Sequence, residues 1–203
     1  MMTKGNNSNH PKKGCTTRVE PIRSQAHIEA IIELLKNKPR DKLLFIMAIN
    51  NGLRTSDLLK LTVKQVWFLK SGDSILIKES KTKKINHLWI NEVTYEALKH
   101  FKETYDPTPE SPLFVARRTS KPLSIQSVNL MVKGWGKKVG VQGNLGAHSL
   151  RKTFAYHQRV YFKTPIEILS LHFNHASPKT TMVYLGLEKE EVSAIMQNSI
   201  GRR

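Results

Sequence analysis

The chain has 203 residues, 39% of them apolar, enough for one ordinary domain with a real core; a fully disordered chain is excluded. Its 33 Lys and Arg against 16 Asp and Glu leave a formal charge of +17, which favours a polyanionic partner, DNA or RNA first and an anionic membrane surface second, over a merely soluble basic protein. Cys15 is the only cysteine, so no intrachain disulfide forms, and the sequence shows neither a long apolar run nor an apolar signal-peptide core.

Residues 1–20 are polar, basic and rich in Gly, Asn and Ser. They read as a flexible arm whose Lys4, Lys12, Lys13 and Arg18 can touch a phosphate backbone, or as a plain tail. Ser24 can cap a helix carrying Ile28, Ile31, Ile32 and Leu35. Pro39 then breaks the chain, and a second helix runs from about Asp41 to Asn51. It is apolar on most of its circumference, as a central core helix would be. Gly52 follows as a helix-stop signal. In the next segment, GLRTSDLLKLTVKQV, Arg54 follows the core helix and Thr55 or Ser56 starts a short one. An arginine fixed there can hold a phosphate with its planar fork, or it can be a surface residue in a turn. Asp57 can orient a neighbouring donor or simply sit in the first helical turn.

Residues 66–90 predict a small antiparallel sheet of three strands: Trp67–Leu69, Ser74–Lys78 and Ile85–Ile90. The loop SKTKK puts Lys81, Lys83 and Lys84 at a hairpin tip. A lysine there can supply charge and a proton to a bound phosphate, or merely keep the tip soluble. Asn91 caps a helix through Phe101, and DPTPESP is a rigid connection. Leu113–Val115 can be a short extended piece. Arg117, Arg118 and Lys121 then form a plausible backbone-contacting patch. Ser124 or Ser127 starts a helix to about Val139, kept basic by Lys133, Lys137 and Lys138, with Gly134 and Gly136 able to kink it. No repeat, heptad pattern, phosphate-binding glycine loop or zinc-type Cys/His cluster is found.

The richest stretch runs from Leu145 to Leu187. His148 and Arg151 lie three apart, on one face of a helix. Pro165 opens another helical piece, FNHAS breaks it, and Ser177-Pro178 starts one more that carries Tyr184 and ends at Gly186. Tyr184 can be a buried amphipathic anchor. Alternatively it is a nucleophile on phosphorus. An ordinary tyrosine titrates near roughly 10, so that role needs cationic neighbours or a base. Arg151, Arg54 and His175 could offset charge on the non-bridging oxygens, and Lys81 could protonate a departing 5′-oxygen. Arginines would then do the electrostatic work of a metal.

In order and spacing these residues resemble the catalytic set of the tyrosine recombinases, or phage integrase family. GLRTSDLLKL matches the first arginine motif at Arg54, with Asp57 at the usual acidic position. ESKTKK matches the hairpin lysine, at Lys81 with Lys83 in reserve, and HSLR matches the His-x-x-Arg box. FNHASPKTTMVYLG matches the histidine box and its tyrosine, His175 and Tyr184; His172 lies nearby at the wrong spacing. The likeness spans residues from about 22 to 197. Phe173 and Asn174 replace the leucine and glycine that usually precede the histidine, and asparagine tolerates the left-handed conformation the glycine would adopt. Most of the family carries a further N-terminal DNA-clamping domain, so the chain is similar to the short members or to a catalytic domain alone.

The resemblance implies an α+β fold, mainly helical with a small three-stranded antiparallel sheet. It divides the chain into a basic arm (1–20), a catalytic DNA-breaking-rejoining domain (21–187) and a C-terminal helix and tail (188–203) that packs on its own domain or a neighbouring subunit. It implies cleavage of double-stranded DNA at a specific site, with no cofactor and no metal, through a 3′-phosphotyrosyl link. Arg54 and Arg151 would clamp the phosphate, Lys81 would protonate the 5′-oxygen, His148 would assist proton transfer and His175 would donate to a phosphate oxygen. Four subunits would act on paired sites, from a monomer or weak dimer when free, with possible accessory DNA-bending or directionality proteins. The implied place is the cytoplasm of a bacterial or phage-infected cell, on DNA. A non-cleaving DNA-binding regulator on the same fold and a tyrosine-class topoisomerase remain the alternatives.

Overall fold

The computed structural model describes residues 19–117 and 119–186, with Ser193, Met196, Gln197 and Gly201 beyond them. The arm up to residue 18, Arg118 and most of the expected C-terminal helix lie outside the described residues. Nine helices and two strands are found among those described: α1 (Gln25–Leu34), α2 (Pro39–Asn51), α3 (Thr55–Leu58), α4 (Val63–Val66), β1 (Ser74–Lys78), β2 (Ile85–Trp89), α5 (Glu92–Thr104), α6 (Ile125–Lys138), α7 (Ala147–Val160), α8 (Ile166–His172) and α9 (Pro178–Leu185). No helix among them is long and apolar enough to cross a membrane.

The main core forms around α2, whose Leu43, Leu44, Phe45, Ile46, Met47 and Ala48 are all buried. α5 and α7 pack against it. Pro39 begins this helix rather than breaking the chain before it. Proline fits the first helical position because no intrahelical partner awaits its missing N–H. Gly52 ends α2 in the left-handed conformation, at φ 59°. An added Cβ there would stand 2.3 Å from Phe154 of α7, so the turn and the close approach both require glycine. Ser24, Asn91 and Ser124 cap α1, α5 and α6 as predicted, each side-chain oxygen accepting a backbone N–H. α6 runs through both of its glycines. Gly136 serves packing, since a Cβ there would lie 2.2 Å from Leu145.

The sheet has two strands, not the three expected. β1 and β2 pair antiparallel with Ser74 opposite Trp89 and Lys78 opposite Ile85. Trp67–Leu69 is not a strand. The Gln65 side chain accepts the Thr62 N–H (2.9 Å) and starts a helix at Val63. Trp67 then donates to Val63 O and Leu69 to Val66 O, so the backbone is spent on helical and turn bonds. Its apolar residues still pack: Trp67 and Leu69 lie against the main core.

A second, smaller apolar cluster holds Ala155, Leu169, Phe173 and Leu185, with Phe154, Tyr156, Val160, Ile166 and Tyr184 against it. It joins the second half of α7 to α8 and α9.

Candidate active site

The two clusters meet at Arg151. This arginine is 2% exposed and is among the largest fully enclosed side chains. Its Nη1 donates to Gly52 O (2.6 Å) at the end of α2, and its Nη2 to Phe173 O (3.3 Å) at the end of α8. The guanidinium lies over the Phe173 ring, 4.4 Å from its centroid. Arg151 therefore both faces the site and joins the region that carries Tyr184 to the main core.

Phe173 and Asn174 shape the next step. Asn174 has φ 55°. Its N–H reaches Leu171 O and the His175 N–H reaches Ser170 O, each at 3.0 Å. This pair of bonds is the Schellman closure of α8, which needs a left-handed residue where Asn174 stands. It turns the chain so that His175 comes off the helix toward Tyr184, with ring centroids 5.4 Å apart. Nδ1 of His175 shares a 2.8 Å hydrogen bond with Oγ1 of the buried Thr181. Ser177 caps α9 through the Thr180 N–H, with Pro178 in the first turn as predicted, and Tyr184 sits in the last turn before the left-handed Gly186.

The other histidine comes from the start of α7. Ala147 N–H donates to Asn129 Oδ1 of α6 (2.6 Å), and Ala147 O accepts the Thr55 hydroxyl of α3 (3.1 Å). This fixes His148 beside the first arginine motif. Its ring meets Tyr184 edge-on, 5.3 Å between centroids. Lys152, one turn on, places Nζ over the Tyr184 ring at 5.2 Å.

Arg54 caps the N-terminus of α3 and keeps 19% of its side-chain surface exposed. Nη1 is buried 2.6 Å from Oε2 of Glu79, close enough for an ion pair although no aligned N–H···O bond forms. Asp57 accepts both the backbone N–H (3.0 Å) and the hydroxyl (2.5 Å) of Ser80. Lys81 follows in the hairpin loop, exposed, and its charge acts on His148. Lys83 stands at the tip with φ 61°. Lys84, Arg117, Lys121, Lys133, Lys137 and Lys138 are exposed and stay available to a polyanion.

The electrostatics follow from this crowding. Burial raises the Tyr184 phenol well above its ordinary pKa of 10, while the charges of Arg151 and Arg54 oppose the rise. The hydroxyl is buried and meets no aligned hydrogen-bond partner. His148 is lowered to about 4 by desolvation and then by Arg151, Lys152, Arg54 and Lys81. His148 as a residue is exposed, and four positive charges surround its ring. His175 is also lowered to about 4, by burial and then by Arg151 and Arg54 against the opposing pull of Glu79. Both imidazoles are neutral at pH 7 and can take or hand on one proton.

The structure thus gathers Arg54, His148, Arg151, His175 and Tyr184 in one place, with Lys81 at its edge. Sequence reasoning missed Glu79, Asn86 and the role of His172. Glu79 Oε2 accepts the Thr82 hydroxyl (2.5 Å) and Asn86 Nδ2 approaches Oε1 (3.3 Å). Asn86 Nδ2 also donates to His172 O (2.9 Å), and His172 Nε2 meets Asn51 O (2.8 Å). A signal was present: Ile77 in β1 and Glu79, one residue past its end, keep one buried phase, as Asn86 and Leu88 do in β2. A carboxylate and an amide on the buried phase of a hairpin mark a polar network inside the fold.

The sequence model of the phage integrase family matches residues 23–191. The chain is 36% identical over 179 residues to the probable integrase/recombinase YoeC of Bacillus subtilis, covering 87% of this chain and 94% of that one. It is 31% identical over 164 residues to the tyrosine recombinase XerA of Pyrococcus horikoshii, covering 79% of this chain but only 55% of the relative. In three dimensions it resembles a crystal structure of XerA recombinase, with TM-score 0.70 at 22% identity over 89% of this chain and 67% of that one. It also resembles the XerH site-specific recombinase bound to palindromic difH substrate in a post-cleavage complex, with TM-score 0.65 at 22% identity over 88% and 53%. With the family model spanning most of the described fold and YoeC matched almost end to end, the chain belongs to the phage integrase family, the tyrosine recombinases.

Proposed function

We propose that the protein is a site-specific DNA recombinase and that Tyr184 is its nucleophile. The observation that carries this reading is the convergence on one buried phenol of His148 from α7 and His175 from the turn before α9, under the charges of Arg151 and Arg54. A merely structural tyrosine gains nothing from two neutral histidines and two arginines. The fold is shared with XerH, solved with its difH substrate in pre-cleavage and post-cleavage complexes, which supports double-stranded DNA as the partner.

The chemistry would run as follows. The Tyr184 oxygen attacks phosphorus while its proton passes to neutral His148. The bond from phosphorus to the 5′-oxygen breaks, and Lys81 protonates the leaving oxygen. Arg54 and Arg151 offset the charge that builds on the non-bridging oxygens. His175 donates from Nε2 to one of them, which requires Nδ1 to accept the Thr181 hydroxyl proton. A 3′-phosphotyrosyl link and a free 5′-hydroxyl result. A partner strand's 5′-hydroxyl then reverses the reaction, so the bond energy is kept without ATP or metal. Exchange would take place in a homotetramer on paired sites, assembled from monomers or weak dimers, with accessory DNA-bending or directionality proteins as further partners.

The test uses nicked duplexes that trap a cleaved strand, tiled across DNA flanking the protein's own gene. The expected result is a covalent adduct in a denaturing gel, formed in EDTA and lost in Tyr184→Phe. A duplex bound specifically but never cleaved would favour a non-cleaving regulator. Cleavage and rejoining without exchange between two sites would favour a topoisomerase.

A further inference from the structure

Among the described residues, Glu79 is the one acidic side chain in contact with the site's cations that has no part in the steps above. It is 0% exposed, yet it is ionised: burial works against the charge, but the Thr82 hydroxyl, Arg54 and Asn86 together hold its carboxyl below the usual range. One oxygen receives Thr82 and faces Nη1 of Arg54; the other lies near Asn86 Nδ2. Its chain neighbour Ser80 is bound through backbone and hydroxyl to Asp57, one turn beyond Arg54. The two residues immediately before Lys81 are therefore each tied to the first arginine motif.

We propose that Glu79 is a positioning residue for Arg54: it grips the buried edge of the guanidinium so that the remaining edge stays aimed at the phosphate. The inference rests on the recombinase reading of the site. A flexible arginine at a helix N-terminus has many rotamers, and a fork that must meet two phosphate oxygens loses its advantage once it can swing. Glu79 also removes one positive charge from the site. The tether therefore trades some ground-state attraction for DNA against geometry in the transition state, a trade that acts on rate rather than on binding.

Glu79→Gln separates these effects. Glutamine keeps the length of the side chain; with its oxygen still receiving Thr82, a neutral amide oxygen replaces the carboxylate against Nη1, and its NH2 takes the place of the oxygen near Asn86. Cleavage of the nicked duplex should slow by roughly 10- to 100-fold. Affinity for the same duplex, measured by fluorescence anisotropy on the Tyr184→Phe background, should hold or tighten. A parallel arm needs no cleavage: in nitrogen-15 arginine spectra the Arg54 side-chain N–H signal, assigned by its loss in Arg54→Lys, should exchange slowly with water in the parent and rapidly in Glu79→Gln. If the parent never cleaves, the recombinase reading fails while this exchange still decides the tether. An unchanged exchange rate overturns the proposal. So does an unchanged or raised cleavage rate, which would make Glu79 a bystander or a competitor of the phosphate. Rate, affinity and melting temperature falling together would reduce it to a structural residue and equally overturn the assignment.

Discussion

The main core and the C-terminal cluster are held together by different physics, and the site lies across their boundary. Around α2 the packing is broad and apolar, from Ile22 through Leu150. Under α9 the buried apolar residues among those described are only Ala155, Leu169, Phe173 and Leu185. The smaller region is fastened by polar links: Arg151 to Gly52 and Phe173, His172 to Asn51, Asn86 to His172. Arg54, Glu79 and His148 are carried on the broad side, His175 and Tyr184 on the narrow one. Local opening takes the least free energy where apolar burial is least, so the nucleophile rides on the part of the domain that opens most easily. A phenol buried without an aligned partner has reason to use that freedom when a phosphate arrives.

The largest effect should come from removing the ring at the centre of the smaller cluster. Phe173 touches Phe154, His175, Tyr184 and the Arg151 guanidinium. Phe173→Ala should destabilise the α8–α9 region by about 3–5 kcal/mol through lost transfer energy and the cavity left behind. Native-state hydrogen exchange would show α8 and α9 losing protection while the α2 amides keep theirs. Equal loss in both regions would mean one cooperative unit and would end the comparison.

A milder perturbation is acid. His148 and His175 titrate near about 4 in the folded chain, below the ordinary 6.5, and His172 is lowered too. As pH falls from about 6.5 toward 4 the unfolded chain takes up protons that the native state refuses, so stability is present above 6.5 and is lost through this window. Glu79, held below the usual carboxylate range, contributes little to the change from pH 7 to pH 5; its share is lost mainly at lower pH. Over that interval the denaturation midpoint should drop, with α8–α9 loosening first, and His175→Gln should flatten the slope. A midpoint that stays level from pH 7 to 5 would show that these histidines protonate without resistance.

The same division marks what could be read from the sequence. The broad core was legible because its signals are local: α2 is apolar nearly all round, and Ser24, Asn91 and Ser124 cap the helices they were expected to cap. The site's members were legible as motifs at family-like spacing. The third strand was misread because Trp67 and Leu69 are apolar whichever way the backbone runs, and the Thr62–Gln65 cap decided it. The depth of Arg151 and the Glu79 network stayed hidden. They depend on Gly52, Phe173 and Asn86 meeting across long stretches of chain, which no spacing reveals.

Asn174 offers the smallest and sharpest check, because it is where the sequence departs from the family's usual glycine. At φ 55° it already occupies the left-handed well, and both closing hydrogen bonds of α8 use backbone atoms only. Asn174→Gly would relieve the modest penalty of a Cβ at positive φ, but would give the unfolded chain more freedom to lose. These two terms oppose each other, so stability should move by no more than about 0.5 kcal/mol and adduct formation should be unchanged. Asn174→Val brings a β-branched side chain to the same φ with no compensating term, at about 1–2 kcal/mol. It should also swing His175 away from Tyr184, since the turn that aims one toward the other would open. If glycine and valine behaved alike, the left-handed turn would not be what sets His175, and Thr181 alone would have to hold the imidazole in place.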